Sequence, residues 1–423
     1  MKSHMSMPTR RQLLTGLAAL PLSATQVRLA RAAEGTPRVL VVFLRGAYDA
    51  ASLLVPYTSS FYYEQRPNIA IAAPGGGDGA AIRLDADWAL APSLGGSMMP
   101  LFQRGQLAFV PFAGTDDTSR SHFETQDSIE LGQALQGRRD YQSGFMNRLA
   151  SAIGARDAMA FTDQLPLVFR GSVEVPNLAL RNVGKAGVDP RQSALISRMY
   201  ANSALAGPVE EGFAVRQQAV AKIEGDVSRP AVGMAPGAAQ GANAISAEMV
   251  AASRQAIAAK GFEGEARRIA RLMRDSHHLG FVDVGGWDTH VGQGNAQGYL
   301  SGRLGELGRG LSAFADEMGP AWNDTTVVVI SEFGRTFREN GNRGTDHGHG
   351  SVYWVLGGSV RGGRMAGEQV RVDAQSLFQG RDYQVLNEYR NWMAGLFGRL
   401  YGLRAAQLEQ VFPQSKPRDI GLV

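Results

Sequence analysis

Six apolar runs most constrain what this chain can become: VLVVFL from Val39, LAFVPF from Leu107, LPLVF from Leu165, FVDV from Phe281, TTVVVI from Thr325 and VYWVL from Val352. A strand with one wet face alternates apolar and polar residues. These runs are nearly continuous instead, as expected for strands covered on both faces. Between FVDV and TTVVVI lies NAQGYLSGRLGELGRGLSAFADEM, where Leu300, Leu304, Leu307, Leu311 and Phe314 recur at helical spacing. A strand, a helix and a second strand in that order make parallel neighbours. YQVLNEYRNWMAGLFGRLYG, beginning at Tyr383, reads as another amphipathic helix. The expected fold is therefore α/β, a three-layer sandwich with a mostly parallel central sheet and helices on both faces. At 423 residues, 44% of them hydrophobic, the chain can bury such a core. Residues 33–423 are expected to form a single domain, with a loose, partly helical Ala- and Gly-rich insertion at about 200–262.

The first 32 residues read as an address rather than as fold. Arg10 and Arg11 precede a short, mild apolar stretch, and Ala30-Arg31-Ala32 fits a small-x-small cleavage site. The leading MKSHM reads as a cloning remnant, which sets His4 aside. The expectation is a twin-arginine signal peptide, partnered by the twin-arginine export machinery, delivering the chain to the periplasm or outside the cell. The apolar stretch is too short to span a membrane as a mature helix, and no other stretch is a membrane-helix candidate. This segment carries Lys2, Arg10, Arg11, Arg28 and Arg31 and no acid. Removing five cations from a formal charge of +4 leaves −1, so the basic balance is no argument for a nucleic-acid partner.

Polar clusters follow the apolar runs. VLVVFL leads to Arg45 and Asp49 in RGAYDAAS, and LAFVPF leads to Arg120, Ser121 and His122 in GTDDTSRSHFE. FVDV leads to Asp288 and His290 in GGWDTH, and TTVVVI leads to Glu332 and Arg335 in SEFGR. In an open α/β sheet, the rim beyond the strand C-termini is where ligands bind. The stretch SEFGRTFRENGNRGTDHGHGS adds Asp346, His347 and His349, two of only 7 His in the chain. Carboxylates and imidazoles gathered in one crevice need a compensating cation. A divalent metal supplies one. With no Cys in the chain, the ligands must be His, carboxylate or other oxygen, which suits zinc, manganese, magnesium or calcium. Nearby arginines would then grip a phosphate or sulfate. Ser121 and Glu124 also match a Ser-x-x-Glu capping box, and His122 reads equally as a buried, hydrogen-bonded histidine.

The motifs VVFLRGAYDAAS, SRSHFETQD, GWDTH and SEFGRTFRENGNRGTDHGHGS resemble the alkaline phosphatase–sulfatase superfamily. More closely, they resemble a twin-arginine-exported branch of it known as a domain of unknown function. The resemblance runs from about Val39 to beyond Gly358. It implies an Asp after the first strand, matched by Asp49, and a nucleophile at a helix start, matched by Ser121 with Arg120 and His122 beside it. It also implies a later Asp/His pair, matched by Asp288 and His290, and a final His, matched by His347 or His349. Where the superfamily reads Ser-Asp-His-Gly, this chain reads Ser331-Glu332-Phe333-Gly334. Phe333 cannot bind metal, so His347 or Asp346 would fill its place.

The ligand set expected on these grounds is Asp49, Asp288, His290, Glu332, Asp346, His347 and His349, with Arg45 and Arg335 for the substrate anion. The expected function is a metal-dependent hydrolase of phosphate or sulfate esters, acting on an anionic ester or an envelope or extracellular polysaccharide. Two alternatives stand beside it: a metal-stabilised binding or assembly protein without turnover, and a phosphoryl-type transferase of the same fold.

Overall fold

In the computed structural model, residues 35–180, 190–203, 205–210, 212–214, 217 and 247–423 are described. The leader expected at 1–32 lies outside them. Nine strands form the central sheet: β1 (Arg38–Arg45), β2 (Leu107–Gly114), β3 (Ala158–Ala160), β4 (Ile257–Ala258), β5 (Leu279–Gly285), β6 (Thr325–Ser331), β7 (Ser351–Gly357), β8 (Arg364–Met365) and β9 (Asn387–Glu388). The main path runs β8-β2-β7-β6-β1-β5-β3, with β9 beside β2 and β4 beside β5. The helices that matter for the site are α1 (His122–Leu131), α2 (Phe145–Ile153), α3 (Ala247–Ala252), α4 (Phe262–Asp275), α5 (Tyr299–Met318) and α6 (Tyr389–Tyr401).

The apolar runs become strands because both of their faces find partners. Along β1, Leu40, Val42 and Leu44 face a core shared with Ile269 of α4 and Leu304, Leu307 and Leu311 of α5. Val39, Val41 and Phe43 face a second core shared with Phe145 and Leu149 of α2 and Trp392 and Phe397 of α6. That is the period-two alternation of a strand, with a helical layer on each side. Each fully buried Leu of α5 contributes roughly 1.5–3 kcal/mol relative to exposure. β1 lies between β5 and β6, parallel to both, with Val41 opposite Phe281 on one side and Val328 on the other. The α5 crossover makes β5 and β6 run the same way, as its spacing predicts.

Two elements differ from the sequence reading. LPLVF is not a strand: Leu167–Phe169 form a 3-10 turn. Pro166, at its N-cap, offers no N–H to a ladder, and the strand beside β5 is instead the short Ala158–Ala160, which follows no long apolar run. β7, the VYWVL run, is antiparallel to both neighbours. It returns from β6 without a helical crossover, and such a return reverses the chain. Within the stretch expected as a partly helical insertion, α3 is helical and β4 pairs with β5. All strands of the sheet but β7 point one way, so the C-termini of β1, β2, β5 and β6 share a rim.

Candidate functional site

Each imidazole of the rim is held by its Nδ1. His122 opens α1, and its Nδ1 lies 2.8 Å from Oε1 of Glu332, which follows β6. Glu332 is fully buried. Its Oε1 also accepts from the Gly46 N–H at 2.7 Å and Gln126 Nε2 at 2.9 Å, and its Oε2 from Ser331 Oγ. Burial opposes its ionisation, but His122 outweighs it and holds the Glu332 carboxyl below its ordinary range. An ionised carboxylate can only accept, so His122 Nδ1 is the donor. His347 Nδ1 lies 3.0 Å from the carbonyl oxygen of Arg120, which also can only accept. His290 Nδ1 lies 3.1 Å from Asp346 Oδ1, whose carboxyl is likewise held low, against its burial, by Asn340 and His290.

The three Nε2 atoms turn toward one carboxylate. Asp288 Oδ1 is 2.9 Å from His290 Nε2, 3.4 Å from His347 Nε2 and 3.6 Å from His122 Nε2. The Nε2 atoms of His290 and His347 are 3.1 Å apart. Four ligand atoms about 2.0–2.2 Å from one tetrahedral metal stand at separations of this order. Two buried atoms here have no hydrogen-bond partner, His122 Nε2 and Asp288 Oδ2. Orphaned buried polar atoms are rare and call for an explanation. His122, Asp288, His347 and the exposed Glu248 each offer a ligand atom, all within 4.8 Å of one another. This group could hold a metal ion, and its donor chemistry fits one.

Charge says the same. Burial would push the His122 imidazole down, but Asp288 and Glu332 raise it to about 9. The hydrogen bond to Asp288 raises His290. Burial opposes the charge on Asp288, yet its contacts with the three imidazoles and Arg335 hold its carboxyl far below the usual range. Without metal, protons provide the cation these carboxylates demand; a divalent ion would displace them.

Local folding delivers these groups. Gly46, at φ +116°, lets the chain leaving β1 pass Asp288, whose backbone N would stand 2.9 Å from a Cβ placed there. The Gly-rich loop folds back on itself. Gly334 N–H donates to His349 O and Thr336 N–H to Asp346 O, and Arg335 bridges His347. Its outer limb pairs with the segment after Asp288, through Thr345 N–H to Thr289 O. Glycines are common where a chain must turn. Gly344 serves close approach instead, since a Cβ there would stand 2.4 Å from the His290 carbonyl oxygen. Gly344→Ala is therefore expected to push His290 off the cluster and lower bound metal about tenfold or more, as loss of ligand positioning does. Metal titration monitored by intrinsic fluorescence checks it; wild-type affinity would rule it out.

The remaining expected residues are placed otherwise. Asp49 caps a short 3-10 turn, and both its oxygens are taken by Arg66 at 2.5 and 3.0 Å. It belongs to a buried ion pair, outside the imidazole cluster. Glu332 and Asp346 orient imidazoles through Nδ1. His349 is buried against Phe378, with ring centroids 4.7 Å apart, and burial lowers its pKa ahead of Arg120; it lies outside the cluster. Arg335 is fully buried and braces Asp288 at 2.6 Å, so it is not free to receive a substrate anion. Arg45 is likewise buried, bonded to Asp283, Gln126 and Glu130 rather than to Asp49. Ser121 is the α1 N-cap and makes no side-chain cap hydrogen bond, so the capping box does not form. Arg120 adopts φ +54° just before it, while its guanidinium pairs with Asp382 at 2.7 Å. Phe333 stacks on His122, with centroids 4.9 Å apart, as an apolar wall.

Glu248 was not foreseen. It stands in the Ala-rich stretch with no motif around it, 3.8 Å from His347 Nε2. Its one sequence signal is that it is an acid on a helical turn, EMVAA, otherwise made of apolar residues. No helix among the described residues is long and apolar enough to cross a membrane.

Residues 36–412 match the model of a family described as "Protein of unknown function (DUF1501)". No curated protein matches the chain. Among solved structures, the chain is similar to Ps i-CgsB in complex with k-i-k-neocarrahexaose, at 8% identity and TM-score 0.36 over 90% of this chain and 75% of that one. It is similar to a protein in the alkaline phosphatase superfamily from Vibrio parahaemolyticus, at 9% identity and TM-score 0.32 over 76% and 60%. It is similar also to the PsFucS1 sulfatase from Pseudoalteromonas sp., at 12% identity and TM-score 0.33 over 94% and 72%.

Proposed function

The chain belongs to the DUF1501 family of proteins of unknown function, and from that premise we propose that it is a metal-dependent hydrolase of phosphate or sulfate esters. The observation that carries this reading is the convergence of three imidazole Nε2 atoms on Asp288 Oδ1, each with its Nδ1 held by an acceptor. A donor set rich in imidazole favours zinc over manganese, magnesium or calcium. A divalent ion bound there supplies a Lewis acid that lowers the pKa of a bound water or hydroxyl. The chain's own residues do the rest. Glu332 and Asp346 fix two ring orientations, Arg335 braces the Asp288 carboxylate, and Phe333 excludes water from one side of His122. Ser121, with a hydroxyl spent on no cap, is the candidate nucleophile one residue before His122. The motif resemblance supports the ester class, and an anionic polysaccharide is the proposed substrate. Export through the twin-arginine machinery to the periplasm belongs to the same proposal, carried by Arg10-Arg11 and Ala30-Arg31-Ala32.

The test is turnover of chromogenic phosphate and sulfate esters by protein purified from its native host with its metal retained. Ester cleavage that Ser121→Ala lowers at least a hundredfold, the scale of losing an activated nucleophile, is the expected result. A fully metallated protein that turns over neither ester would overturn it. One observation favours a second reading, a metal-stabilised binding protein without turnover: both arginines expected to grip the anion are buried and paired internally.

A further inference from the structure

Beside the rim, below α1, lies a cavity of about 340 Å³. Its size is that of a small-ligand site. Its floor is the buried ion triad of Arg45 with Glu130 and Asp283, at 2.8 and 2.6 Å. One wall is the apolar strip Leu165-Pro166-Leu167, and the other walls include Gln164, Arg170 and Arg254. The guanidinium of Arg170 and the amide of Gln164 make no hydrogen bond or ion pair within the described residues. Arg254 and the next residue, Gln255, both adopt left-handed backbone, at φ +43° and +63°. Such conformations in ordinary residues persist where the surroundings hold them, often at functional sites. They bring Arg254 over the ring of Phe123, which is 53% exposed and directly follows His122.

The lining selects a ligand class. Three arginines, Arg45, Arg170 and Arg254, are matched by three carboxylates, Glu130, Asp163 and Asp283, so the cavity has no net charge to hold a free anion. It pairs planar donor and acceptor groups with an apolar strip, which suits a molecule whose hydroxyls both donate and accept around a C–H face. α1 links this cavity to the metal centre. His122, Gln126 and Glu130 follow one another at four-residue intervals, the first in the cluster and the last on the cavity floor. Eight residues of helix span about 12 Å. Gln126 bridges the two ends, accepting from Arg45 Nη1 at 3.0 Å and donating to Glu332 at 2.9 Å.

We propose that this cavity is a subsite for a neutral, polyhydroxylated unit of an oligosaccharide, placed about 12 Å from the ester-cleaving centre along α1. The proposal rests on the ester-hydrolase reading for its purpose, and it names the substrate as a chain of sugars rather than a lone small ester.

Its test is binding, not turnover. The full chain is titrated with neutral and with sulfated oligosaccharides of increasing length, with and without EDTA. Neutral oligosaccharides are expected to bind equally well in both conditions. The double variant Gln164→Ala/Arg170→Ala is expected to weaken them about tenfold, the loss of a charge-assisted hydrogen bond. Its melting temperature should be unchanged, because neither side chain has an internal partner to lose. Absence of binding by any oligosaccharide, or binding untouched by the double variant, overturns the proposal. So does binding restricted to sulfated chains and abolished by EDTA, which would place the ligand on the metal centre. If oligosaccharides bind while no ester is cleaved, the subsite stands and the hydrolase reading falls.

Discussion

Asp288→Ala is expected to leave the protein without metal. Asp288 Oδ1 is the one atom that all three imidazoles and Arg335 approach, and its charge draws a cation to them. Replacing residues that only support a ligand costs about 10–100-fold in affinity, so removing the central carboxylate should cost at least a hundredfold. Ala also strands the buried Arg335, so a fall in stability alone would be ambiguous. Asp288→Asn resolves this: its amide oxygen can still accept from Arg335 and keep the fold, while the negative charge is gone. Metal content measured by plasma emission spectrometry on both folded variants checks the prediction. An Asp288→Asn protein with wild-type metal content would show that the cluster is not built around this residue.

Arg66→Ala should cause the largest loss of stability. Arg66 is 0% exposed and holds Asp49 through two nitrogens. It also donates to the Phe337 and Thr336 carbonyl oxygens, joining the segment after β1 to the start of the Gly-rich loop. Deleting one partner of a buried ion pair leaves an uncompensated charge and costs about 3–5 kcal/mol. Burial opposes the charge on Asp49, but Arg66 outweighs it and holds the carboxyl low, so the stranded group would be an anion. Asp49→Asn in the Arg66→Ala background should recover part of the loss by removing that charge. Urea unfolding midpoints of the single and double variants measure both. A single variant within about 1 kcal/mol of wild type would contradict the buried-pair account. Metal content per folded molecule should stay at the wild-type value, which separates this role for Asp49 from the ligand role its motif suggested.

Asp49 illustrates how far the sequence is legible. The run VLVVFL announces a strand covered on both faces, and Asp49 stands just beyond its end. Nothing local says that the carboxylate turns to Arg66, 17 positions on, rather than to an imidazole. Arg335 is a similar case. Its position after β6 was readable, but its burial against Asp288 depends on a loop that folds back 10 residues later to meet it through Thr345. Glu248 had only a weak local signal, because one acid in an Ala-rich helical turn looks like any solvated surface charge.

What the sequence determined by itself is the layer order and the rim. Those follow from short-range periodicity: continuous apolar runs, a helix at 3.6-residue spacing between two of them, and polar clusters at the run ends. Even there it failed where length was too small to carry a period, as at Ala158–Ala160. Apart from Asp288 with His290, two positions on, the tertiary structure alone decided which carboxylate meets which imidazole. His122 and Asp288 are separated by 166 positions and Glu332 lies 210 beyond His122, so no window along the chain contains either of those pairs. Their partnership is set by strand register and loop closure, and by the need of each buried charge to find a counter-charge within hydrogen-bond reach.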